Sequence, residues 1–336
     1  MKSMLKSAGL ALALAATGSA GALTLNGAGS SFIFPLASKW FYEYNQKNGI
    51  EVNYQSIGSG AGIQQLINKT VDFGASDAFM APDLMQKAGG TVIHLPATMG
   101  AVAIAYNIPG VDSGLKLTSE VLSGIFLGEI SNWNDAAIKD LNPSMSLPDL
   151  AITIAHRSDG SGTTAIFTDY LTKVSTKWAG TVGKGTAVKW PAGVGGKGNE
   201  AVAGLVKQIP GAVGYVELAY VLQNKLSSAL IRNKAGKYPE PSMDSVASAA
   251  EGALKNMPSD FRVSFTNASG AGSYPICGFT WILVYPKYDA VKGKALVDLL
   301  NWIMDDGQKM SSSLLYTPLP ASLTEKIKAK IATIKY

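Results

Sequence analysis

One short stretch constrains the fold most, because it places a strand, a glycine/serine turn and a helix in direct succession. Residues 151–155 (AITIA) are apolar and partly β-branched, as in a buried strand. Residues 158–163 are rich in turn formers, and residues 164–171 carry apolar side chains at helical spacing. The first amides of such a helix have no partner within the helix. The stretch therefore predicts an anion site, because these donors and the helix dipole favour negative charge.

The side chains around this turn support the same prediction. Arg157 supplies a planar cation suited to a tetrahedral oxyanion. Ser161, Thr163 and Thr164 supply hydroxyl donors, and Asp159 is placed to pair with Arg157. The alternative interpretation is a capped turn before an ordinary helix, with Asp159 as the cap.

Two earlier loops repeat the order of strand, glycine/serine loop and helix. Residues 29–31 (GSS) precede a predicted helix at 32–47, and residues 58–60 (GSG) precede one at 63–69. In an open α/β sheet such loops meet at the carboxyl ends of the strands, where ligands bind. The three loops offer many amide and hydroxyl donors and little positive charge, which suits a small dianion held by dipoles.

The remaining periodicity indicates an α/β fold with a largely parallel sheet. Strands are predicted at 23–25, 50–57, 92–95, 101–106, 212–216 and 279–285, and helices at 82–88, 118–126, 135–140, 200–208, 245–255, 294–304 and 322–334. A loop is predicted at 26–31, a glycine-rich turn at 189–199, and irregular structure over most of 233–260.

The first 22 residues are interpreted as a secretory signal peptide. Lys2 and Lys6 form a positive region, and the apolar run at 8–16 is shorter than the about 20 residues that span a membrane. Residues 20–22 (AGA) fit a cleavage site before Leu23. An uncleaved anchor is the alternative, which the short run disfavours. We expect an exported, periplasmic protein with cleavage near Ala22.

Composition excludes several other classes of function. Cys277 is the only cysteine, so no internal disulfide can form, and with two histidines we expect no metal and no cofactor. The formal charge falls from +5 to +3 once Lys2 and Lys6 are removed, since residues 1–22 contain no acids. No run of Lys and Arg occurs, so we expect no nucleic-acid partner.

Longer stretches throughout the chain together resemble one family. They are NGAGSSF at 26–32, VNYQSIGSGAG at 52–62, VDFGASDA at 71–78, NIPG at 107–110, RSDGSGTT at 157–164, KWPAGVGGKGN at 189–199, PGAVGYVE at 210–217 and LP at 319–320. The combination resembles the periplasmic phosphate-binding proteins of the phosphate-specific ABC transporter, the PstS family. The resemblance implies a type II periplasmic-binding-protein fold, in which two doubly wound α/β lobes are joined by a two-crossing hinge and the ligand lies in the cleft.

The same resemblance implies domain bounds and a ligand set. Residues 23–102 and 277–336 would form lobe 1 and residues 103–276 lobe 2, with crossings near 101–106 and 275–280. The implied phosphate ligands are Ser31, Phe32 (through its N–H), Ser59, Asp77, Arg157, Ser161, Gly162 and Thr163, with Asp159 pairing with Arg157. Some members carry Thr at the position of Ser31, and the hydroxyl is kept.

Asp77 has a mechanistic meaning within this ligand set. A carboxylate repels an anion unless the ligand donates a proton to it, and hydrogen phosphate has such a proton whereas sulfate has none. We therefore expect a non-enzymatic, monomeric carrier of inorganic phosphate that selects against sulfate and delivers its ligand to a membrane ABC permease. The alternatives are a carrier for another oxyanion, such as sulfate or molybdate, and a secreted hydrolase of phosphate esters. Asp77 disfavours the first alternative, and the second lacks a Ser/His/acid set in the sequence.

Overall fold

The fold is built on a mixed sheet, which a computed structural model describes together with the rest of residues 23–336. The predicted signal peptide lies outside these described residues. The strands are β1 (Thr24–Gly29), β2 (Glu51–Ser56), β3 (Phe73–Ser76), β4 (Ile93–Tyr106), β5 (Lys116–Leu117), β6 (Thr153–Arg157), β7 (Val194–Gly196), β8 (Ala212–Glu217), β9 (Ser227–Ser228), β10 (Leu230–Ile231) and β11 (Cys277–Val284).

Helices pack against this sheet and cover its central strands β3, β4, β8 and β11, which are buried along their length. The helices are α1 (Phe34–Asn48), α2 (Ser59–Ile67), α3 (Pro82–Lys87), α4 (Ser119–Phe126), α5 (Ala136–Lys139), α6 (Gly162–Val174), α7 (Thr176–Thr181), α8 (Gly198–Gln208), α9 (Leu218–Asn224), α10 (Met243–Lys255), α11 (Ala290–Trp302), α12 (Gln308–Ser311) and α13 (Ala321–Ile331). A π-turn at Ile303–Gly307 joins α11 to α12, and a 3₁₀ turn follows at Ser312–Leu314. Within residues 23–336, no helix combines the length and apolar character needed to cross a membrane.

Two parallel groups of strands are joined through antiparallel pairs. The sheet order is β2-β1-β3-β11-β4-β8-β6-β7, and β9 also pairs with β4. β1 is parallel to β2 and β3, and β6 is parallel to β7 and β8. In contrast, β11 is antiparallel to β3 and β4, and β8 is antiparallel to β4. The α/β prediction is confirmed, and the sheet is mixed at the junction of the two groups.

Strand β4 connects the two groups. Its first part, up to Ala101, pairs with β11, and its second part, from Val102, pairs with β8. The sequence predicted two separate strands here, at 92–95 and 101–106, and this was wrong: β4 is one continuous strand of 14 residues. Proline lacks the N–H that a ladder needs, and the pairing opposite Pro96 contains a register shift, as expected where a strand must accommodate proline.

The glycine/serine stretch after residue 25 also differs from its prediction as a loop. β1 extends to Gly29, so residues 26–29 belong to the strand. The glycines serve close packing here: a Cβ on Gly27 would lie 2.2 Å from the Phe73 ring, and one on Gly62 of α2 would lie 2.4 Å from the Gly29 Cα. The result is a close approach of α2 to β1, which brings the start of the helix to the strand end.

Several helices begin earlier than the periodicity predicts, among them α11, which begins at Ala290 and not at residue 294. α10 begins at Met243 behind a Ser242–Ser245 capping box, ahead of the predicted residue 245. α2 begins at Ser59, ahead of the predicted residue 63, so the predicted GSG loop forms the first turn of this helix. The division into lobes at 23–102 with 277–336 and at 103–276 stays a prediction.

Candidate functional site

The residues predicted for the site lie where strands end and helices begin. Ser31 and Phe32 follow β1, Ser59 opens α2, Asp77 follows β3, Arg157 ends β6, and Ser161, Gly162 and Thr163 form the start of α6. Each of these residues is buried. Segments distant in the chain therefore converge on one interior position, as parallel strand ends do in α/β proteins.

Asp77 lies at this position and is 4% exposed. Its Oδ1 accepts hydrogen bonds from the hydroxyls of Ser30 and Thr280, both at 2.6 Å, and its Oδ2 accepts one from Ser59 at 3.5 Å. The pKa of the Asp77 carboxyl is raised to about 6, because burial penalises the charged form more than these bonds and Arg157 favour it. The structure therefore places a carboxyl that holds or accepts a proton near neutral pH beside the predicted anion site.

Arg157 forms a buried ion pair with Asp159. Its Nε and Nη2 donate to the two carboxylate oxygens at 2.7 and 2.6 Å, which is the bidentate geometry of a strong pair. The Gly198 amide donates to the same carboxylate at 3.1 Å. The pKa of Asp159 is lowered, because these donors and the Arg157 charge outweigh the opposing effect of burial. The third nitrogen of the guanidinium, Nη1, donates to the Thr163 hydroxyl oxygen at 3.3 Å.

The start of α6 presents amides to the same position. Ser161 caps this helix by accepting from the Thr164 N–H at 3.0 Å, so the interpretation of Asp159 as the cap was wrong. Helix geometry leaves the amides of Gly162 and Thr163, the first two residues, without acceptors inside the helix. A Cβ on Gly162 would lie 2.4 Å from both Asp77 Oδ2 and Ser59 Oγ. Glycine is therefore required for α6 to approach the carboxylate this closely.

Three tyrosine hydroxyls orient the loop after β1. They donate to three successive carbonyl oxygens: Tyr54 to Ser30 at 2.8 Å, Tyr220 to Ser31 at 2.7 Å and Tyr316 to Phe32 at 2.6 Å. Burial raises the pKa of all three phenols, so they remain donors at neutral pH. The Phe32 N–H, predicted to contact the ligand, donates to Ser30 Oγ at 3.0 Å, and its ring packs against Gly100.

The sequence interpretation missed several polar residues of the site. The most prominent is Asn199, which is fully buried and donates to both Ser31 Oγ and Thr163 Oγ1. Ser30 and Thr280, which hold Asp77, were also missed. The signal for Asn199 was present in the stretch KWPAGVGGKGN, which carried the resemblance but was not assigned a role. Thr280 had no such signal, because it is reached only through pairing of β11 with its neighbours.

Glu217 is a second buried carboxyl near this position. Its Oε2 accepts from the Ala219 N–H at 2.7 Å and so caps α9, whereas its Oε1 is buried without a hydrogen-bond partner among the described residues. The pKa of Glu217 is raised well above its usual value, first by burial. Burial therefore favours the uncharged form of this carboxyl.

No group of three or more His, Cys, Asp or Glu residues in 23–336 is arranged to hold a metal ion. The polar atoms of the site are instead amides, hydroxyls, the Arg157 guanidinium paired with Asp159, and the Asp77 carboxyl, whose pKa is raised. Such a set can surround a small tetrahedral oxyanion and can accept a proton from it.

Comparison with known proteins places the fold and site in a class. The sequence model for the PBP superfamily domain matches residues 14–306, so the chain carries a domain of this superfamily. The PstS phosphate-binding protein of Xylella fastidiosa (strain Temecula1) is 49% identical over 308 residues, covering 91% of this chain and 84% of that protein. That of Pasteurella multocida is 46% identical, covering 93% and 91%. The chain therefore belongs to the family of PstS phosphate-binding proteins.

Solved structures support the fold at lower identity. The phosphate-binding protein from Stenotrophomonas maltophilia aligns with a TM-score of 0.69 at 19% identity, covering 92% of this chain and 93% of that one. An ABC-type phosphate transport receptor from Vibrio cholerae aligns with a TM-score of 0.57 at 19% identity, covering 88% and 100%. The prediction of a periplasmic-binding-protein fold is confirmed.

Proposed function

We propose that this protein binds inorganic phosphate in the periplasm with high affinity and delivers it to an ABC importer, without catalysing a reaction. Family membership supports this function, since the relatives are named phosphate-binding proteins. The single observation that carries the proposal is Asp77, a buried carboxyl whose pKa is raised to about 6 and which lies against the start of α6.

The proposed ligands are those that the sequence predicted. The hydroxyls of Ser31, Ser59, Ser161 and Thr163, the N–H groups of Phe32 and Gly162, and Arg157 would hold the oxyanion, with Asp159 balancing the arginine. The Phe32 N–H would exchange its hydrogen bond to Ser30 Oγ for one to the ligand. Each hydrogen bond to a charged group contributes roughly 1.5–3 kcal/mol net. Several such bonds together contribute more than the roughly 8 kcal/mol of favourable binding free energy that micromolar affinity requires. This holds even after the costs of ordering and desolvation are subtracted.

The proposed role of Asp77 is to accept the phosphate proton. With hydrogen phosphate, the ligand O–H donates to a carboxylate oxygen, so the close approach of the two groups is attractive. Sulfate carries no proton at neutral pH, so the same approach brings two sets of acceptors together. A charged acceptor that is buried without a hydrogen-bond donor costs more binding free energy than the about 1–3 kcal/mol that a neutral acceptor costs. Phosphate is therefore selected over sulfate.

We further propose that binding closes two lobes, formed by residues 23–102 with 277–336 and by residues 103–276. The change of partner along β4, between Ala101 and Val102, supports a hinge at this point. Lobe closure around the ligand is the motion typical of binding proteins with this architecture. The carrier would act as a monomer after removal of residues 1–22.

Equilibrium binding of radiolabelled phosphate to the purified mature chain tests the proposal, with arsenate and sulfate as competitors. Arsenate shares the protonation of phosphate, so we expect it to compete far better than sulfate. Equal competition by sulfate and arsenate would contradict the role of Asp77, and absence of phosphate binding would contradict the function. A chromogenic phosphate ester in the same assay should show no turnover.

A further inference from the structure

We infer that Asn199 is a positioning residue for the bound oxyanion: its side-chain amide forces the hydroxyls of Ser31 and Thr163 to donate their protons to the ligand. The inference rests on the proposed phosphate-binding function and adds a residue that orients the ligand donors. Asn199 is 0% exposed, so water does not compete for these contacts.

The orientation of the Asn199 amide is set by the main chain. Its Oδ1 accepts from the Glu217 N–H at 3.0 Å, and a backbone amide can only donate. The nitrogen Nδ2 must therefore face the opposite side, where it donates to Ser31 Oγ at 2.9 Å and to Thr163 Oγ1 at 3.0 Å. A flipped amide would place the Nδ2 donor against the Glu217 N–H, which is also a donor. The hydrogen bond from Glu217 therefore fixes which end of the Asn199 amide is oxygen and which is nitrogen.

Each hydroxyl then has both of its acceptor positions occupied. A hydroxyl oxygen has two lone pairs and one proton. Ser31 Oγ accepts from the Asn199 N–H at 3.1 Å and from Asn199 Nδ2. Thr163 Oγ1 accepts from Asn199 Nδ2 and from Arg157 Nη1. Neither hydroxyl donates to another group within residues 23–336, so both protons remain available for a ligand that accepts.

The backbone around Asn199 holds it in this position. Asn199 is the second residue of α8, after Gly198, whose φ of +79° favours glycine. The Gly198 N–H donates to Asp159, and the Asn199 N–H donates to Ser31. The start of α8 therefore connects the Arg157 ion pair, the loop after β1 and the start of α6.

The inference distinguishes Asn199 from a residue that only fills space. Aspartate has nearly the same shape but lacks N–H donors, so in Asn199→Asp the two hydroxyls would turn to donate to the carboxylate. In Asn199→Ala they would be free to rotate and would still be able to donate to the ligand. We expect Asn199→Asp to weaken phosphate binding more than Asn199→Ala, but the negative charge that aspartate adds beside the anion contributes to this loss. The double-mutant cycle below therefore decides between an orienting and a space-filling role.

A double-mutant cycle tests the coupling with phosphate as the probe, by titration calorimetry on the full mature chain. We expect Asn199→Ala to weaken binding about tenfold. Ser31→Ala should cost several-fold less affinity in the Asn199→Ala background than in the wild type. Ser59→Ala is the matched control, because the Ser59 hydroxyl contacts Asp77 and not Asn199. Its cost should be the same in both backgrounds.

The outcomes separate this inference from the proposed function. If the wild type binds phosphate and Ser31→Ala lowers the affinity equally in both backgrounds, the inference about Asn199 is overturned and the proposed function stands. Absence of binding by the wild type would overturn both. Thermal melting of each variant without phosphate checks that it is folded. If Asn199→Ala does not fold, Asn199→Leu replaces it in the double-mutant cycle, since leucine keeps the bulk of the side chain without an N–H donor or a charge.

Discussion

The N–H of Gly60 donates to the carbonyl oxygen of Gly160 at 2.8 Å, and the two residues meet backbone to backbone. A Cβ on Gly60 would lie 3.0 Å from the Gly160 Cα, and one on Gly160 would lie 3.1 Å from the Gly60 Cα. Gly60 belongs to α2, and Gly160 lies in the turn before α6. Under the proposed division into lobes, this contact joins the two lobes beside the phosphate site.

Gly60→Ala tests the importance of this contact for closure. We expect the affinity for phosphate to fall roughly tenfold, because the added methyl group must displace the backbone around Gly160 when the lobes close. The stability without phosphate should not fall, since alanine is favoured over glycine inside a helix by about 1 kcal/mol and the proposed opening of the lobes would relieve the contact. Calorimetry and thermal melting measure the two effects.

Gly204→Ala in α8 is the matched control for this prediction. A Cβ there meets nothing within 4 Å, and the residue is also helical and partly buried. We expect unchanged phosphate affinity and a small gain in stability. Equal affinities of the two variants would contradict a role for the Gly60–Gly160 contact in closure.

Asp77→Asn should narrow the ratio of phosphate to sulfate affinity by at least about tenfold, which corresponds to about 1.4 kcal/mol. The amide no longer accepts the phosphate proton through an anionic oxygen, and it offers sulfate an N–H donor. Competition titration calorimetry gives both affinities. An unchanged ratio would show that Asp77 does not act as the proton acceptor.

The stability of the unliganded protein should depend on the charge of Asp77. Its pKa is raised in the folded state from 3.8 to about 6, so the protonated carboxyl favours folding. This contribution is fully present below about pH 3.8 and is lost as the pH rises through 6, with a total of about 3 kcal/mol. We therefore expect the unfolding free energy of the wild type to fall, relative to Asp77→Asn, between pH 4 and 7.

Denaturant titrations of both proteins across this range measure that difference. The comparison with the variant is needed because His94 titrates in the same range with the opposite sign. Burial lowers the pKa of His94 to about 4, so its contribution to stability is lost as the pH falls. A pH-independent difference between wild type and Asp77→Asn would contradict the raised pKa of Asp77.

Asp159→Asn should destabilise the unliganded protein by about 3 kcal/mol, because it leaves the Arg157 guanidinium, which is 3% exposed, without its counter-charge. A bound phosphate dianion would supply part of that charge. We therefore expect added phosphate to stabilise Asp159→Asn more than it stabilises the wild type. Melting temperatures with and without phosphate test this, and an equal or smaller gain for the variant would contradict it.

Much of the fold could be predicted from the sequence because its signals are local. The order of strand, glycine/serine loop and helix at 151–171 corresponds to β6, the turn and α6 in the structure. The continuity of β4 could not be predicted, since it depends on the irregular pairing of β11 opposite Pro96. Likewise, the extension of β1 into the glycine stretch depends on the distant Phe73 ring and on α2.

The loops of the site could be predicted from their local sequence, but the roles of single residues within them could not. Asp77 reads locally as an acid after a short strand, and only the family resemblance assigned it to the ligand set. Its environment comes from Ser30, 47 positions away, and Thr280, 203 positions away. These hydrogen bonds orient the carboxyl, and burial desolvates it. No pattern around residue 77 records either effect.

The sequence by itself determined the α/β class, the positions of the glycine/serine loops and, through its combined motifs, the family. Tertiary structure alone decided which hydroxyls have their acceptor positions occupied, which carboxyls have a raised pKa and which glycines meet backbone to backbone. The reason is that periodicity and turn chemistry describe neighbours along the chain, whereas proton positions depend on partners in space. Asn199 illustrates the difference: it ends a glycine-rich turn, yet its amide joins Ser31, 168 positions away, to Thr163, 36 positions away.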